Sequence, residues 1–384
     1  MIIMSVDYIK DVLKIVADNI KCIVTGNYIE GDIDLNTLGN FALTRLDRCI
    51  VTPSLKNIPQ LSLEQKQAIK MFYRPYVRFM NDRSHRYYTH ISGGHFYPEY
   101  ISEELFFNFI DRYFCNRDEA RFLDNKCYYY KLFSGIKQPE LVCMRIGQTW
   151  LNGNLSPISK NSVLDLLKIE EEVVVKKAVN SEGGFGVYFL TGDICRKFKT
   201  LIKDISCDVV IQRSVKQHPM LSELHSSSVN TMRIVTLMTE EKVKVYAAAI
   251  KIGTGGRRLD NGCQGGIYCG INSDGTLKKR GLLDNGTSIE IHPELGYRFE
   301  DKKIPHFGKA LQLCKKAHGF MGHFRLISWD VAIDEKGEAV LIEANLSLGG
   351  INDIQATCGP LFGKDTKKIL DEVFKNNRKV TTWL

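Results

Sequence analysis

Residues 327–345 restrict the fold more tightly than any other stretch. "ISWDVAID" (327–334) is a strand candidate, "EKGE" (335–338) supplies a tight turn at Lys336-Gly337, and "VLIEANLSLGGIN" (340–352) begins as a second strand. A hairpin closed at that turn pairs residues by constant sum. Residue 334 then faces 339, Asp330 faces Glu343 and Ser328 faces Asn345. Strand side chains alternate between faces, so Trp329, Val331, Ile333, Val340, Ile342 and Ala344 make one apolar face. The other face gathers Asp330, Glu343 and Asn345. Like charges directly opposed across a ladder repel, so a positive group is expected between them, and an all-oxygen set of this kind suits Mg²⁺. With uncompensated repulsion, Asp330→Asn should leave metal-free stability unchanged or slightly raised. A half-solvated hairpin whose polar face is simply wet fits the same residues.

The chain has 384 residues, enough for two or three domains or lobes, and its 44% hydrophobic and 25% charged content is that of a globular protein. Lys+Arg 52 against Asp+Glu 44 leaves +8, a mild excess that suits an anionic substrate or surface. No basic run with interleaved aromatics marks a nucleic-acid stripe, so no nucleic-acid partner is expected. The 11 cysteines include no C-x-x-C pair, which points to reduced thiols in a cytosol and not to zinc. In "MIIMSVDYIKDVLKIVADNI", charges at Asp7, Lys10, Asp11, Lys14 and Asp18 break any signal-peptide core and predict an amphipathic helix. No stretch approaches a membrane span, so a cytoplasmic protein without an integral membrane segment is expected. Oligomeric state is not readable.

Residues 1–125 read as mainly helical, with helices at 61–80 and, started by Ser102, at 102–114. From about 170 short β runs alternate with Gly turns, and helices return at 308–318 and 366–376. The fold class expected is α+β. In "VVVKKAVNSEGGFGVYF" (173–189) a β run carries Lys176, and a loop with Ser181, Gly183, Gly184 and Gly186 leads into another β run. Glycines let backbone N–H groups approach phosphate oxygens, and a nearby lysine neutralises charge. The loop is neither a Walker A loop nor a Rossmann turn, and a plain hairpin remains the alternative.

A strand lysine and glycine hairpin about 150 residues ahead of an Asp-x₁₂-Glu-x-Asn hairpin resembles the ATP-grasp superfamily, and the hairpin resembles the metal-binding strands of D-alanine–D-alanine ligase and its relatives. "HISGGHFYPEYI", "QHPMLSEL" with "SSVNTMRIVT", "RRLDNGCQGGI" and "ISWDVAI…LIEANLSLGG" resemble its sugar-transfer-associated branch, over roughly residues 60–375. The resemblance implies two α+β lobes clamping ATP: a small lobe over 126–215 with the Gly-rich flap, and a large lobe over 216–384 with the metal site. It implies Lys126 and Lys176 as nucleotide lysines, Ser181, Gly183 and Gly184 in the flap, and Gln212 and the Val215 backbone at adenine. Asn230 joins that set. Asp330, Glu343 and Asn345 would hold Mg²⁺, and Arg233 and Lys251 would face the γ-phosphate. Arg257 or Arg258 would pair an acceptor carboxylate and Asp260 an amine, with a solvated turn as the alternative. The arginine that usually precedes the metal aspartate is missing: Ser328-Trp329 stands there, and Arg325 lies further upstream. The implied activity is an ATP-dependent carboxylate–amine ligase in surface polysaccharide or related sugar-conjugate synthesis. A phosphotransferase and a nucleotide-binding regulatory module remain open beside it.

Overall fold

The computed structural model describes Leu55 and residues 58–375, except 78–79, 180–181, 261, 263–264 and 347–348. The amphipathic helix expected over 1–20 lies outside the described residues, as does Ser181.

Two compact units result: Met1–Tyr113 with Gly359–Leu384, and Phe114–Cys358. The sequence placed boundaries at 125/126 and 215/216 and gave the C-terminal stretch to the large lobe. That stretch clusters with the N-terminal residues because its helix Thr366–Lys375 is fastened there. Tyr76 Oη donates to Asp371 Oδ1 at 2.8 Å, and the Phe374 ring packs on Tyr76 and Phe109. In the same unit, helix Leu63–Tyr73 starts in a capping box: Ser62 Oγ accepts from Gln65 N at 3.1 Å, and Gln65 Oε1 from Ser62 N at 2.9 Å. Ser102 caps the next helical run by accepting from Leu105 N.

The Phe114–Cys358 unit holds two antiparallel sheets. The first comprises β1 (Leu141–Ile146), β2 (Thr149–Asn152), β3 (Pro157–Ile158), β4 (Glu172–Lys177), β5 (Val187–Thr191) and β6 (Val209–Arg213), ordered β3-β2-β1-β6-β4-β5. Cys143, Val173, Val175, Val209 and Ile211 pack its buried face against Val163 and Leu167 of helix Lys160–Lys168 and Phe198 of helix Ile194–Leu201.

The second sheet comprises β7 (Met232–Met238), β8 (Val243–Ile252), β9 (Ile267–Ile271), β10 (Leu277–Leu283), β11 (Ser288–Ile289), β12 (Leu326–Ile333) and β13 (Ala339–Asn345), ordered β11-β10-β9-β8-β7-β12-β13. Helix Phe307–His318 packs on β7, β8, β12 and β13. All of β12 is buried, as befits a strand covered on both faces. Behind it Trp329 Nε1 donates to Thr236 Oγ1 at 2.7 Å, Thr236 lies 2.8 Å from His318 Nδ1, and His318 Nε2 lies 2.8 Å from the Phe324 carbonyl. The Phe324 carbonyl can only accept, so the His318 hydrogen is on Nε2, and Nδ1 accepts from the Thr236 hydroxyl.

The β12–β13 register pairs Ser328 with Asn345 and Asp330 with Glu343, as the constant sum requires. Nearer the turn it slips by one: Ile333, not Asp334, faces Ala339. Asp334 is drawn into the turn instead. Its Oδ1 accepts from Lys336 N at 3.0 Å and Glu338 N at 2.8 Å, and Gly337 adopts φ 73°. A bulge at Ile342 separates the two registers, so Leu341 pairs with Val331 and Ala339 with Ile333, and these two take the apolar-face places expected of Ile342 and Val340.

Candidate functional site

One row of directly opposed residues crosses five strands of the larger sheet on a single face: Glu343, Asp330, Arg233, Ala249 and Gly270. The next position along β8 and β9 pairs Lys251 with Tyr268 on that same face. On the polar face of the hairpin Asp330 is 4% exposed, while the Glu343 side chain keeps 30% exposure.

Each of the two carboxylates has a cation of the chain beside it. Arg233 Nε donates to Asp330 Oδ1 at 2.6 Å and Nη2 to Oδ2 at 3.1 Å, while Lys251 Nζ donates to Oδ2 at 3.0 Å. Burial alone would raise the Asp330 carboxyl, but Arg233 and then Lys251 outweigh it and hold it at about 2. Burial would lower the Lys251 ammonium; Asp330 outweighs it and keeps Lys251 above its usual range. Glu343 meets a different cation, with Lys126 Nζ 2.8 Å from its Oε1. Lys126 is set there by its backbone N–H on the Ala178 carbonyl, and by Tyr129, whose hydroxyl donates to the Ala344 carbonyl at 2.8 Å. The guanidinium beside Asp330 comes from Arg233 on β7 and not from a residue just ahead of Asp330 in sequence. Arg325 lies elsewhere, its Nε on the Met238 carbonyl and its guanidinium over the Phe114 ring.

Asn345 Nδ2 donates to the Ser328 carbonyl at 3.0 Å, which leaves its Oδ1 as a pure acceptor beside Glu343. Two carboxylates and an amide oxygen fit a hard cation; Asp330 Oδ2 already accepts from both Arg233 Nη2 and Lys251 Nζ, so the open lone pairs lie on Asp330 Oδ1, Glu343 and Asn345 Oδ1. Among the described residues no three His, Cys, Asp or Glu side chains form a metal cage. A Mg²⁺ ion here would have to complete its shell with substrate oxygens or water, which is its ordinary habit.

The side chain of Lys176, opposite Val187 on β5, makes no hydrogen bond or ion pair among the described residues. Burial pulls its ammonium down to about 8; Glu343 opposes that and Lys126 adds to it. Those couplings bring Lys176, Lys126 and Glu343 into one electrostatic neighbourhood. Beyond Lys176 the β4–β5 connection turns through Gly183, Gly184 and Gly186, all at positive φ.

Gln212, in β6 between β1 and β4, is buried. Tyr130 Oη donates to the Pro139 carbonyl at 3.0 Å, so it can only accept from Gln212 Nε2, 2.5 Å away. This fixes the amide orientation and leaves Gln212 Oε1 buried without a partner. An orphaned acceptor of that kind fits an exocyclic amino group. Val215, in the link after β6, makes no backbone hydrogen bond among the described residues. Tyr130 carries no sequence signal beyond its place in the "CYYYK" run.

Three candidates are placed otherwise. Asn230 is fully buried and saturated: its Nδ2 donates to Gln217 Oε1, Leu221 O and His225 O, and its Oδ1 accepts from Gly253 N. It braces a loop and has nothing left for a nucleotide. Asp260 Oδ2 is taken by the Thr231 N–H at 2.8 Å and hydroxyl at 2.5 Å, so it anchors the start of β7. Arg258 forms a two-pronged pair with Glu172 at 2.6 and 2.7 Å and lies 4.2 Å over the Phe189 ring. Its carboxylate is therefore one of the chain's own. Arg257 is exposed on the same loop, beside Gly265.

A family model described as sugar-transfer associated ATP-grasp matches residues 107–368. No curated protein matches the chain. Among solved structures it is similar to an L-amino acid ligase from Bacillus licheniformis, at 14% identity and TM-score 0.38, over 67% of this chain and 48% of that one. It is similar to D-alanyl-alanine synthetase A from Vibrio cholerae, at 12% identity and TM-score 0.40, over 70% of this chain and 68% of that one. A D-cycloserine synthetase matches at 10% identity and TM-score 0.41, over 68% and 73%. The chain spans about half the length of the first of these. The family match covers more than half of the sequence and takes in both sheets and the whole charged row, so the chain belongs to the sugar-transfer associated ATP-grasp family and has its α+β ATP-grasp fold.

Proposed function

We propose that this protein is a Mg·ATP-dependent ligase that joins a carboxylate to an amine through an acyl phosphate, in the assembly of a surface polysaccharide or related sugar conjugate. The observation that carries the reading is the row Glu343–Asp330–Arg233 with Lys126, Lys176 and Lys251 gathered beside it. Phosphoryl transfer depends mainly on positioning and on cations arranged where charge develops, and Arg233, Lys251, Lys126 and Lys176 would supply four of them around an oxygen donor set. Mg²⁺, held by Asp330, Glu343 and Asn345, would neutralise and align phosphate oxygens. Lys126 and Lys176 would bind the phosphates, Gln212 Oε1 and the Val215 backbone the adenine, and the 183–186 turn would cover the nucleotide. Arg233 and Lys251 would steady the γ-phosphoryl as it passes to the substrate carboxylate, and the amine would then displace phosphate to form the amide. Arg257 is available to pair the acid substrate.

The test is ATP consumption with Mg²⁺, a panel of carboxylic acids and hydroxylamine as generic acceptor. A ligase yields ADP, free phosphate and an acyl hydroxamate only when an acid is present. A stable phosphorylated product would make the chain a phosphotransferase, and nucleotide binding without turnover would make it a regulatory module.

A further inference from the structure

The carboxylates of the site face differ in one respect. Asp330 is engaged by Arg233 and Lys251, Glu343 by Lys126, and Asp260 by Thr231. Asp353 makes no side-chain hydrogen bond or ion pair among the described residues, although it is partly buried and within the fields of Arg233 and Lys251. Burial pushes its carboxyl up to about 6; Arg233 pulls it down, Asp284 pushes it up and Lys251 pulls it down.

Strand register explains how Asp353 comes to this face. Its short helix, Asn352–Cys358, packs on β8, β9 and β10. Gly270 is the β9 member of the charged row, and a Cβ there would stand 2.5 Å from the Thr357 carbonyl oxygen. Only glycine lets the helix lie so close, and it lies on the face that carries Arg233 and Lys251. The helix is tied down by Lys278 Nζ on the Cys358 carbonyl at 2.6 Å and by Cys358 Sγ on the Ala248 carbonyl at 3.2 Å. Beside Lys251 on β9 stands Tyr268, whose hydroxyl makes no hydrogen bond among the described residues. Asp353 exerts the largest charge effect on that hydroxyl. The Tyr268 ring is held against Gly262, where a Cβ would come within 2.9 Å of its edge. Along the sheet, the oxygen donors thus occupy β12 and β13, the cations β7 and β8, and the uncommitted Asp353–Tyr268 pair the far side of the cations.

We infer that Asp353 and the Tyr268 hydroxyl dock the amine substrate as a primary ammonium, and that Asp353 receives the proton the amine must lose before it attacks. This rests on the amide-forming reading above and names its second substrate site. The ammonium passes one proton to the Asp353 carboxylate and becomes a neutral amine. Its lone pair attacks the acyl carbon, the C–N bond forms, and the C–O bond to phosphate breaks with its electrons leaving on phosphate. The second N–H proton goes to the departing phosphate, and Asp353 returns its own to water.

Thermal unfolding of the whole chain with Mg·ADP, titrated with ethanolamine or glucosamine as ammonium probes and N-acetylglucosamine as the uncharged control, tests the site. The wild type is expected to be stabilised by the ammonium probes and not by the control. Asp353→Asn is expected to lose about tenfold or more in apparent affinity for the probes, a change worth roughly 1.4 kcal/mol, with the Mg·ADP shift kept. Should Asp353→Asn fold poorly, Tyr268→Phe removes only a hydroxyl and is expected to lose about threefold. An equal response to glucosamine and its N-acetyl form, or undiminished affinity in both variants, overturns the inference. The hydroxylamine assay stays independent of it. Failure of every acid to give hydroxamate sinks the ligase reading whatever the probes do, and hydroxamate without ammonium selectivity sinks the Asp353 site alone.

Discussion

On β7, β8 and β12 the site charges are satisfied by one another, whereas on the six-stranded sheet Lys176 and Gln212 are left open. Asp330 accepts from Arg233 and Lys251, and its carboxyl is held at about 2. Lys176 has no counter-ion of its own and sits at about 8, and Gln212 Oε1 has no donor. Charges that close on themselves stabilise the empty protein and fix geometry before a ligand arrives. Groups left open cost stability in the empty protein and are relieved by a ligand. The larger sheet should therefore govern folding stability, and the smaller one the response to nucleotide.

The largest effect should come from Asp330→Asn, which leaves Arg233 and Lys251 buried beside each other without their counter-charge. Removing one partner of such a pair costs about 3–5 kcal/mol, measurable by denaturant unfolding of the ligand-free protein. This reverses the expectation drawn from the hairpin alone, in which repulsion between Asp330 and Glu343 went uncompensated. A loss under about 1 kcal/mol would show that the paired row is not what holds the strands, and the comparison would fail at its stronger end.

Lys176→Met should act in the opposite direction. The folded lysine sits at about 8, below the value of about 10.4 in an unfolded chain, so near neutral pH the unfolded state holds its proton more tightly. The wild type is destabilised accordingly, and the variant should be more stable by about 1–3 kcal/mol at pH 7. Between about pH 8 and 10.4 the wild type should gain stability relative to the variant, and the gap should close above that range. The same variant should lose the protection that Mg·ATP gives the wild type. A variant less stable at pH 7 would mean that Lys176 has a partner and that the smaller sheet is closed like the larger.

How much of this was legible depended on sequence distance. The hairpin of β12 and β13 is local, so alternation and one turn placed Asp330 opposite Glu343, and only the Asp334 cap and the Ile342 bulge escaped. Arg233 and Lys251 lie about 80–100 residues away, and no periodicity could reveal that they close on Asp330. Their residue types suit a phosphate, yet each is first a partner of the carboxylate. Asn230, Asp260 and Arg258 carried the residue types of ligands but are consumed by loops and by Glu172. A donor count is a three-dimensional property. Gln212 shows the same limit from the other side, since its position was readable but the direction of its amide depends on Tyr130 and Pro139. The helix Thr366–Lys375 was readable as a helix, while its attachment to Tyr76, across the length of the chain, was not.

Gln212→Leu sharpens the comparison at its subtler end. The change removes a buried acceptor without a partner, which stabilises, and one bond to Tyr130, which destabilises. The two are each of order 1 kcal/mol, so the ligand-free protein should melt close to the wild type. Discrimination between Mg·ATP and Mg·GTP, read as the difference in their melting shifts, should shrink. An unchanged preference would remove Gln212 from the nucleotide site.

A small stability loss that depends on salt is expected from Arg258→Ala. Arg258, on the loop after β8, reaches the start of β4 through Glu172 and lies on the Phe189 ring of β5, so it joins the two sheets directly. The pair is solvent-screened, with Arg258 42% exposed, and such pairs contribute roughly 0.2–1 kcal/mol even when two-pronged. The loss should therefore stay below about 1 kcal/mol, and it should fade as salt rises from about 0.1 to 1 M, because the screening length falls from about 10 to 3 Å. The cost of Asp330→Asn, set in the interior, should persist across the same range. If Arg258→Ala proved as costly as Asp330→Asn and as insensitive to salt, the surface pair between the sheets, not the buried row, would be the main electrostatic contribution to stability. The division between a self-closed sheet and an open one would then have to be redrawn around the loop that carries Arg258.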